Sequence, residues 1–193
     1  IVVNNGMIRT DNWGQWKPNL NLTVNGPGVF EMWNTSVSLA NLSGNGIVQN
    51  TKYWGRSQTL AVAAGSFSGS IIDSGMTSGE GYGYGDTRIH LVKSTSGTLT
   101  LSGTTSYDGN TTIEAGTLRL GNGSSSTNLA DTADVIVAAG AMLDLNYTGT
   151  DQIRSLWVDG LQLPPGIYSS TSGFITGSGT LTVNSGPASA DYA

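Results

Sequence analysis

Cysteine is absent from the 193-residue sequence, and charged residues make up only 11% of it. Without cysteine the chain can form no disulfide bond and offers no thiolate to a metal ion. Soluble domains usually have roughly 25% charged residues. Here Ser, Thr and Asn supply most of the polarity, which is typical of all-β proteins built from β-branched residues and tight turns.

Basic residues are also scarce, and no apolar run is long. The sequence contains 8 Lys and Arg and 13 Asp and Glu, which gives a net charge of −5 and a pI near 4.5. This balance argues against nucleic acid as a partner, because that affinity needs clustered positive charge. No apolar run approaches the roughly 20 residues that cross a bilayer, so no membrane span is expected. The first residues also lack the basic-then-apolar layout of a signal peptide.

The two ends of the sequence indicate how it is organised. It begins in mid-pattern without Met, so we interpret it as a piece of a longer polypeptide. Residues 185–193, SGPASADYA, are small and polar, as in a linker or a disordered end. We expect one domain over residues 1–184, with an aromatic-rich half at 1–96 and a regular half at 97–184.

A repeated phrase of alternating apolar and polar residues dominates the regular half. GTLTLSG at 97–103 returns as GTLRLG at 116–121. Such alternation predicts short strands with one buried face. Glycines that open similar phrases, up to Gly160 and Gly179, recur at a nearly even spacing, except for one much longer interval between Gly65 and Gly97. This period predicts an all-β solenoid, a parallel β-helix of roughly nine coils, with a β-sandwich as the structural alternative.

Residues 97–183 closely resemble the autotransporter-associated β-strand repeat of large secreted or surface-anchored bacterial proteins. The resemblance is carried by GTLTLSG, TTIEAGTLRLG, VIVAAGAMLDLN and SLWVDGLQLPPGIYSS. It implies a single-stranded right-handed parallel β-helix that lies outside the cell or on its surface. The resemblance says little about the function of the surface of the β-helix.

Four of the five tryptophans lie in the first half, and together with Tyr53 they fall in one sector of the predicted coil. Counted from the glycine that opens each coil, they follow the first strand of three consecutive coils. In the next coil this position falls on Ile72 and Asp73, beside a glycine-rich segment (71–88) that we expect to project as a loop. Stacked aromatic rings with amide and basic neighbours are typical of a sugar-binding surface. The predicted carbohydrate-binding residues are Trp13, Trp16, Trp33, Tyr53, Trp54, Arg56, Tyr82 and Tyr84.

Two other interpretations remain open for these residues. The aromatic side chains can instead fill a wide first coil, because they bury large areas. Catalysis is the second alternative, since parallel β-helices include pectate lyases and polygalacturonases. Its candidate residues are Glu31, Asp73, Glu80, Asp86, Arg56, Arg88 and His90. No catalytic motif of those enzymes is present, and His90 alternates with Ile89 and Leu91 as a strand surface residue would, so no enzymatic activity is expected.

The sequence thus predicts a non-catalytic carbohydrate-binding module of a secreted bacterial enzyme that degrades glycans. The expected partner is a plant polysaccharide, with a xylan-like β-1,4 glycan favoured, besides enzyme or surface-protein domains of the same polypeptide. No metal or cofactor is expected, since the Ca²⁺-binding nonapeptide GGxGxDxUx is absent, and a monomer is expected. The alternative is a structural spacer in the passenger stalk of a bacterial surface or autotransporter protein. The repeat supports the spacer, whereas the aromatic patch favours binding.

Overall fold

A computed structural model describes residues 1–10, 19–33, 35–51, 56–73, 87–124 and 129–188. Within these residues the chain is all-β, and the 3₁₀ turn Ser170–Ser172 is the one helical element. Strands form where apolar and polar residues alternate over a short stretch. In Ile89–Lys93, for example, buried and half-buried positions alternate along the strand.

The strands are short and follow one another closely along the chain. The first eleven are β1 (Val2–Val3), β2 (Met7–Arg9), β3 (Leu20–Val24), β4 (Val29–Glu31), β5 (Val37–Gly44), β6 (Ile47–Asn50), β7 (Gln58–Phe67), β8 (Ser70–Asp73), β9 (Ile89–Lys93), β10 (Thr98–Leu101) and β11 (Thr105–Ser106). The next ten are β12 (Thr111–Ile113), β13 (Thr117–Leu120), β14 (Asp134–Val137), β15 (Met142–Leu145), β16 (Thr150–Ile153), β17 (Ser155–Val158), β18 (Leu161–Gln162), β19 (Gly166–Tyr168), β20 (Ile175–Gly177) and β21 (Thr180–Val183).

These strands form three sheets, which we label A, B and C. Sheet A has 13 strands, sheet B has five in the order β11-β8-β6-β4-β2, and sheet C consists of β16, β21 and β19. Among the strands described, only the pairs β17–β18 and β19–β21 are antiparallel. A sandwich of the immunoglobulin kind pairs its strands antiparallel. The parallel ladders therefore disfavour that alternative and are compatible with the predicted β-helix.

The long strand β7 is the point at which sheet A divides into two arms. Its first half, Gln58–Val62, pairs with β9, and its second half, Gly65–Phe67, pairs with β10. The first arm continues as β9-β12-β14-β17 and the second arm as β10-β13-β15-β20. Strand β5 pairs with both halves of β7, so the two arms merge into one continuous sheet on the N-terminal side.

The pairing of neighbouring parallel strands follows the period of the repeated phrase. Thr98 pairs with Thr117, so the second residue of GTLTLSG lies beside the second residue of GTLRLG, as the repeat predicts. More residues separate Gly65 from its partner Leu99 than separate Thr98 from Thr117. The long interval between Gly65 and Gly97 therefore reflects extra residues between β8 and β9, as the sequence predicts.

The C-terminal part departs from the predicted repeat at GLQL, residues 160–163. The sequence predicts that Gly160 opens another parallel strand, and this prediction is wrong. Val158 pairs antiparallel with Leu161, and the two residues between them, Asp159 and Gly160, have φ of 50° and 77°. Two successive positive φ values define a type I′ hairpin turn. The chain rejoins the parallel ladder only at Ile175, in β20.

Columns of similar side chains from successive strands build the core. Leu42, Leu99, Leu118, Leu143 and Ile175 occupy one register column that runs into the second arm, and each is at most 1% exposed. Complete burial of one such side chain contributes about 1.5–3 kcal/mol. Each strand thus adds its inward side chains to columns that continue through its neighbours in the ladder.

Two tyrosines are among the largest fully buried side chains, Tyr107 and Tyr147. The Tyr107 hydroxyl lies 2.8 Å from Thr111 Oγ1, whereas the Tyr147 hydroxyl has no hydrogen-bond partner among the described residues. Burial raises the pKa of both phenols. Because the folded-state pKa then exceeds the unfolded value of about 10, their contribution to stability is present below about pH 10 and decreases as the pH rises further.

Neighbouring backbones approach closely at several corners, and Gly116 is one example. Its φ is +69°, and a Cβ atom there would lie 2.3 Å from the Gly97 carbonyl oxygen. Gly140 has a similar φ of +75°, but a Cβ atom there would meet nothing within 4 Å. The two glycines therefore share a left-handed conformation and differ in the close approach of a neighbouring backbone.

We expect Gly116→Ala to lower the free energy of unfolding by at least about 3 kcal/mol, because a clash with a backbone carbonyl adds to the cost of a left-handed alanine. The matched variant Gly140→Ala should lose only about 1–2 kcal/mol, the conformational cost alone. Chemical denaturation of both variants measures the difference. Equal losses would contradict the close stacking of backbones at Gly116.

Candidate functional site

Four successive connections lead from sheet B to sheet A, and together they define what we call the connection edge. They are residues 10–19, 32–36, 51–57 and 74–88. They start at β2, β4, β6 and β8, which are neighbours in sheet B, and they end at β3, β5, β7 and β9, which are neighbours in sheet A. All four therefore leave and enter the sheets along the same edge.

The predicted carbohydrate-binding residues all belong to these four connections by sequence. Six of them lie outside the described residues: Trp13, Trp16, Tyr53, Trp54, Tyr82 and Tyr84. Trp33 is half-buried and Arg56 is exposed. The prediction that Ile72 and Asp73 occupy the equivalent position of the fourth coil is wrong, because Ile72 and Asp73 lie within β8. The equivalent connection is the glycine-rich segment itself.

Trp33 is in contact with a basic side chain of the neighbouring strand β2. The guanidinium carbon of Arg9 lies 4.4 Å from the centroid of the Trp33 ring. This is a cation–π contact, which contributes about 0.5–1 kcal/mol at an exposed site. One face of the indole is therefore occupied by Arg9, so a ligand would have to stack on the opposite face.

Glu31 lies on the outer face of sheet B and is nevertheless only 3% exposed. It occupies the register position between Arg9 and Gln49. Its carboxylate accepts hydrogen bonds from Gln49 Nε2 at 2.5 Å and from the Thr51 backbone N–H at 3.1 Å. These bonds tie β4 to β6 and to the start of the third connection, so Glu31 has a structural function.

Two polar side chains, the buried Asn50 and the half-buried Asp73, hold the ends of the connections where the ladders stop. Asn50 Nδ2 donates to the carbonyl oxygens of Thr87 at 2.8 Å and of Arg56 at 3.1 Å. Asp73 Oδ2 accepts from the backbone N–H groups of Ile89 at 2.7 Å and Asp108 at 3.0 Å. These side chains satisfy backbone groups at the strand ends, where a buried group left unsatisfied would be costly.

The remaining candidates for catalysis that the structure describes do not form a constellation. Glu80 and Asp86 lie outside the described residues, and Glu31 and Asp73 hold backbone and amide groups as described above. His90 Nδ1 accepts a hydrogen bond from the Asn110 backbone N–H at 3.0 Å, as expected of a residue on a strand surface. Among the residues that the structure describes, no group of three or more His, Asp or Glu could hold a metal ion.

Sequence reasoning missed Lys93, the last residue of β9. It is fully buried, and its amine donates to the carbonyl oxygens of Thr95 and, at 3.0 Å, of Ala115. Burial lowers the pKa of Lys93. Its position in the alternation of β9, two residues after the buried Leu91, is the signal that places its side chain inward.

Comparison with known families identifies part of the chain. Residues 91–120 match the family model described as the passenger-associated-transport-repeat. The matched segment begins within β9 and ends with β13, so it includes one complete parallel step of both arms of sheet A. This match confirms the resemblance to an autotransporter-associated repeat. No curated protein and no solved structure gives a match.

The family match has two consequences, and the structure adds one further observation. A passenger repeat indicates a segment of a larger chain that is secreted or displayed on a surface. It is a structural repeat, which is consistent with a non-enzymatic function. Among the described residues, no helix is both long enough and apolar enough to cross a bilayer.

We expect Asp73→Ala to destabilise the protein by about 2–4 kcal/mol, because two backbone N–H groups lose their shared acceptor. The matched control Glu114→Ala removes an exposed carboxylate at a strand end, and it should change the stability by no more than about 0.5 kcal/mol. Urea denaturation of the two variants tests this. A loss for Asp73→Ala as small as that of the control would show that the connections do not depend on this anchor.

Proposed function

We propose that the chain is a structural spacer, a segment of the passenger stalk of a bacterial surface or autotransporter protein. The observation that carries the proposal is the position of the family match. The matched residues 91–120 lie in the middle of parallel ladders that continue in register on both sides. The parallel strand pairing of the repeat therefore continues on both sides of the residues that match the family model.

The geometry that we propose for the spacer is a right-handed parallel β-helix. The path β1-β3-β5-β7-β10-β13-β15-β20 holds eight parallel strands, which supports about eight coils and not the roughly nine predicted from the sequence. The difference is the hairpin at Gly160. At about 4.8 Å per strand the stack is about 34 Å long. Because each coil contacts only its neighbours, length can change without altering the rest of the rod.

Insertion of whole repeats tests the spacer directly. Two further copies of residues 97–115, placed between Ala115 and Gly116, should lengthen the rod by about 10 Å. Small-angle X-ray scattering measures the maximum dimension, and circular dichroism checks that the melting temperature is retained. The matched control carries scrambled inserts of the same length and composition, which should project as loops and leave the rod length unchanged. Equal dimensions for the two proteins would refute the proposal.

A second candidate function is carbohydrate binding at the connection edge, through Trp33 and Arg56 with Trp13, Trp16, Tyr53, Trp54, Tyr82 and Tyr84. The support for it is that four aromatic-rich connections begin at neighbouring strands of sheet B and end at neighbouring strands of sheet A. A xylan-like β-1,4 glycan would follow such an edge along the ladder direction. The ligand would be held by ring stacking and by the basic side chains beside the rings.

Affinity electrophoresis in gels that contain xylan, mixed-linkage glucan, mannan or pectin tests the second candidate. We expect retardation by at least one glycan and about tenfold weaker binding in Trp13→Ala, Trp16→Ala or Trp54→Ala, because each removes a stacking ring. The matched control is Trp157→Ala, which alters a half-buried tryptophan on β17, outside the four connections. Absence of retardation in every gel would exclude carbohydrate binding while leaving the spacer intact.

A further inference from the structure

The third side of the strand stack is interrupted between β11 and β16. Strand β11 is the last strand of sheet B, where it pairs with β8. On the other two sides the ladders continue without a break, through β12 and β13. At this point residues 121–133 lie between β13 and β14, and the segment 102–110, which contains β11, lies between β10 and β12. In its described part the longer connection does not form a strand that continues sheet B.

A cleft of about 410 Å³ lies at this interruption, where the next strand of sheet B would stand. One wall is the extended segment 105–108, which contains β11, and the other wall is the segment 129–132. Such a volume accommodates an extended segment of about four small residues, and a strand that adds to the end of a sheet gains backbone hydrogen bonds there. The cleft therefore has the shape and the position that an additional strand needs.

The charge of the cleft favours a basic occupant. Asp108 lies in one wall and Asp131 in the other, and no hydrogen bond or ion pair engages either carboxylate among the described residues. The chain as a whole carries a net charge of −5. Lysine or arginine side chains that flank an inserted strand would pair with the two carboxylates, whereas an acidic strand would be repelled.

We propose that this cleft binds an extended peptide segment containing lysine or arginine, which continues sheet B along the segment 106–108 and contacts Asp108 and Asp131. The partner is thus a basic segment in β conformation that belongs to another protein. The connection edge takes no part in this site, and the site does not depend on the spacer proposal.

The test uses the full chain, labelled with ¹⁵N, and the synthetic peptide acetyl-TKTKTKT-amide at low ionic strength. We expect chemical-shift changes concentrated in residues 105–108 and 129–132, together with slower exchange of the Tyr107 amide proton, whereas the Asp108 amide already donates to Asp73. The acidic peptide acetyl-TETETET-amide should bind at least about tenfold more weakly, since both walls repel it. A peptide that is N-methylated at alternate residues keeps the charge but loses ladder donors, so it should bind about tenfold more weakly as well.

Variants of the protein complete the test. Asp131→Asn, at an exposed position, should weaken binding of the basic peptide about threefold, and its combination with Asp108→Asn about tenfold. Asp159→Asn makes the same charge change in the β17–β18 turn and should leave binding unchanged. Shift changes elsewhere, equal binding of the acidic peptide or equal binding of the N-methylated peptide would overturn the proposal. The elongated proteins and the glycan gels described above test the spacer and the carbohydrate-binding proposals separately from this one.

Discussion

Parallel, in-register stacking of strands that recur roughly every 20 residues is the constraint on which the rest of this structure depends. Strand backbones lie about 4.8 Å apart in the ladder direction, so some corners bring one backbone directly against the next. Gly116, whose absent Cβ would lie 2.3 Å from a neighbouring carbonyl, is a direct consequence. The buried columns of Leu and Ile and the inward Lys93 follow from the same stacking, because residues at one register position share one environment.

The departures from this stacking are where binding is to be sought. The connections that leave sheet B differ in length, and polar side chains such as Asn50 and Asp73 hold their ends. The interruption beside β11 is a departure of a different kind, since sheet B ends there and a long connection forms the other wall of a cleft. A regular ladder offers rigidity and length, which a spacer requires. Connections and the ends of sheets offer side chains and backbone groups to a partner.

Much of the fold could be predicted from the sequence, because alternation and period are local properties. The phrases GTLTLSG and GTLRLG predict β10 and β13 and their register. From the sequence, Gly160 could not be distinguished from the glycines that precede parallel strands, because GLQL alternates in the same way. Only the antiparallel pairing of Val158 with Leu161 reveals a hairpin. Gly65 misled in another way, because it lies inside β7, which bends from one arm of sheet A to the other. The candidate site was harder to predict, as the function of Asp73 depends on Asp108, 35 residues further along the chain.

Distances between spin labels along one outer column test the in-register stacking most directly, and the lack of native cysteine makes the labelling specific. Thr23, Ser66 and Thr176 lie in the same column, linked through Ser43, Thr100, Arg119 and Asp144. With labels on cysteines introduced at these positions, the Ser66–Thr176 pair should give about 19 Å and the Thr23–Thr176 pair about 29 Å, four and six strand spacings. Distances that do not increase by about two strand spacings between the two pairs would contradict the stacked arrangement.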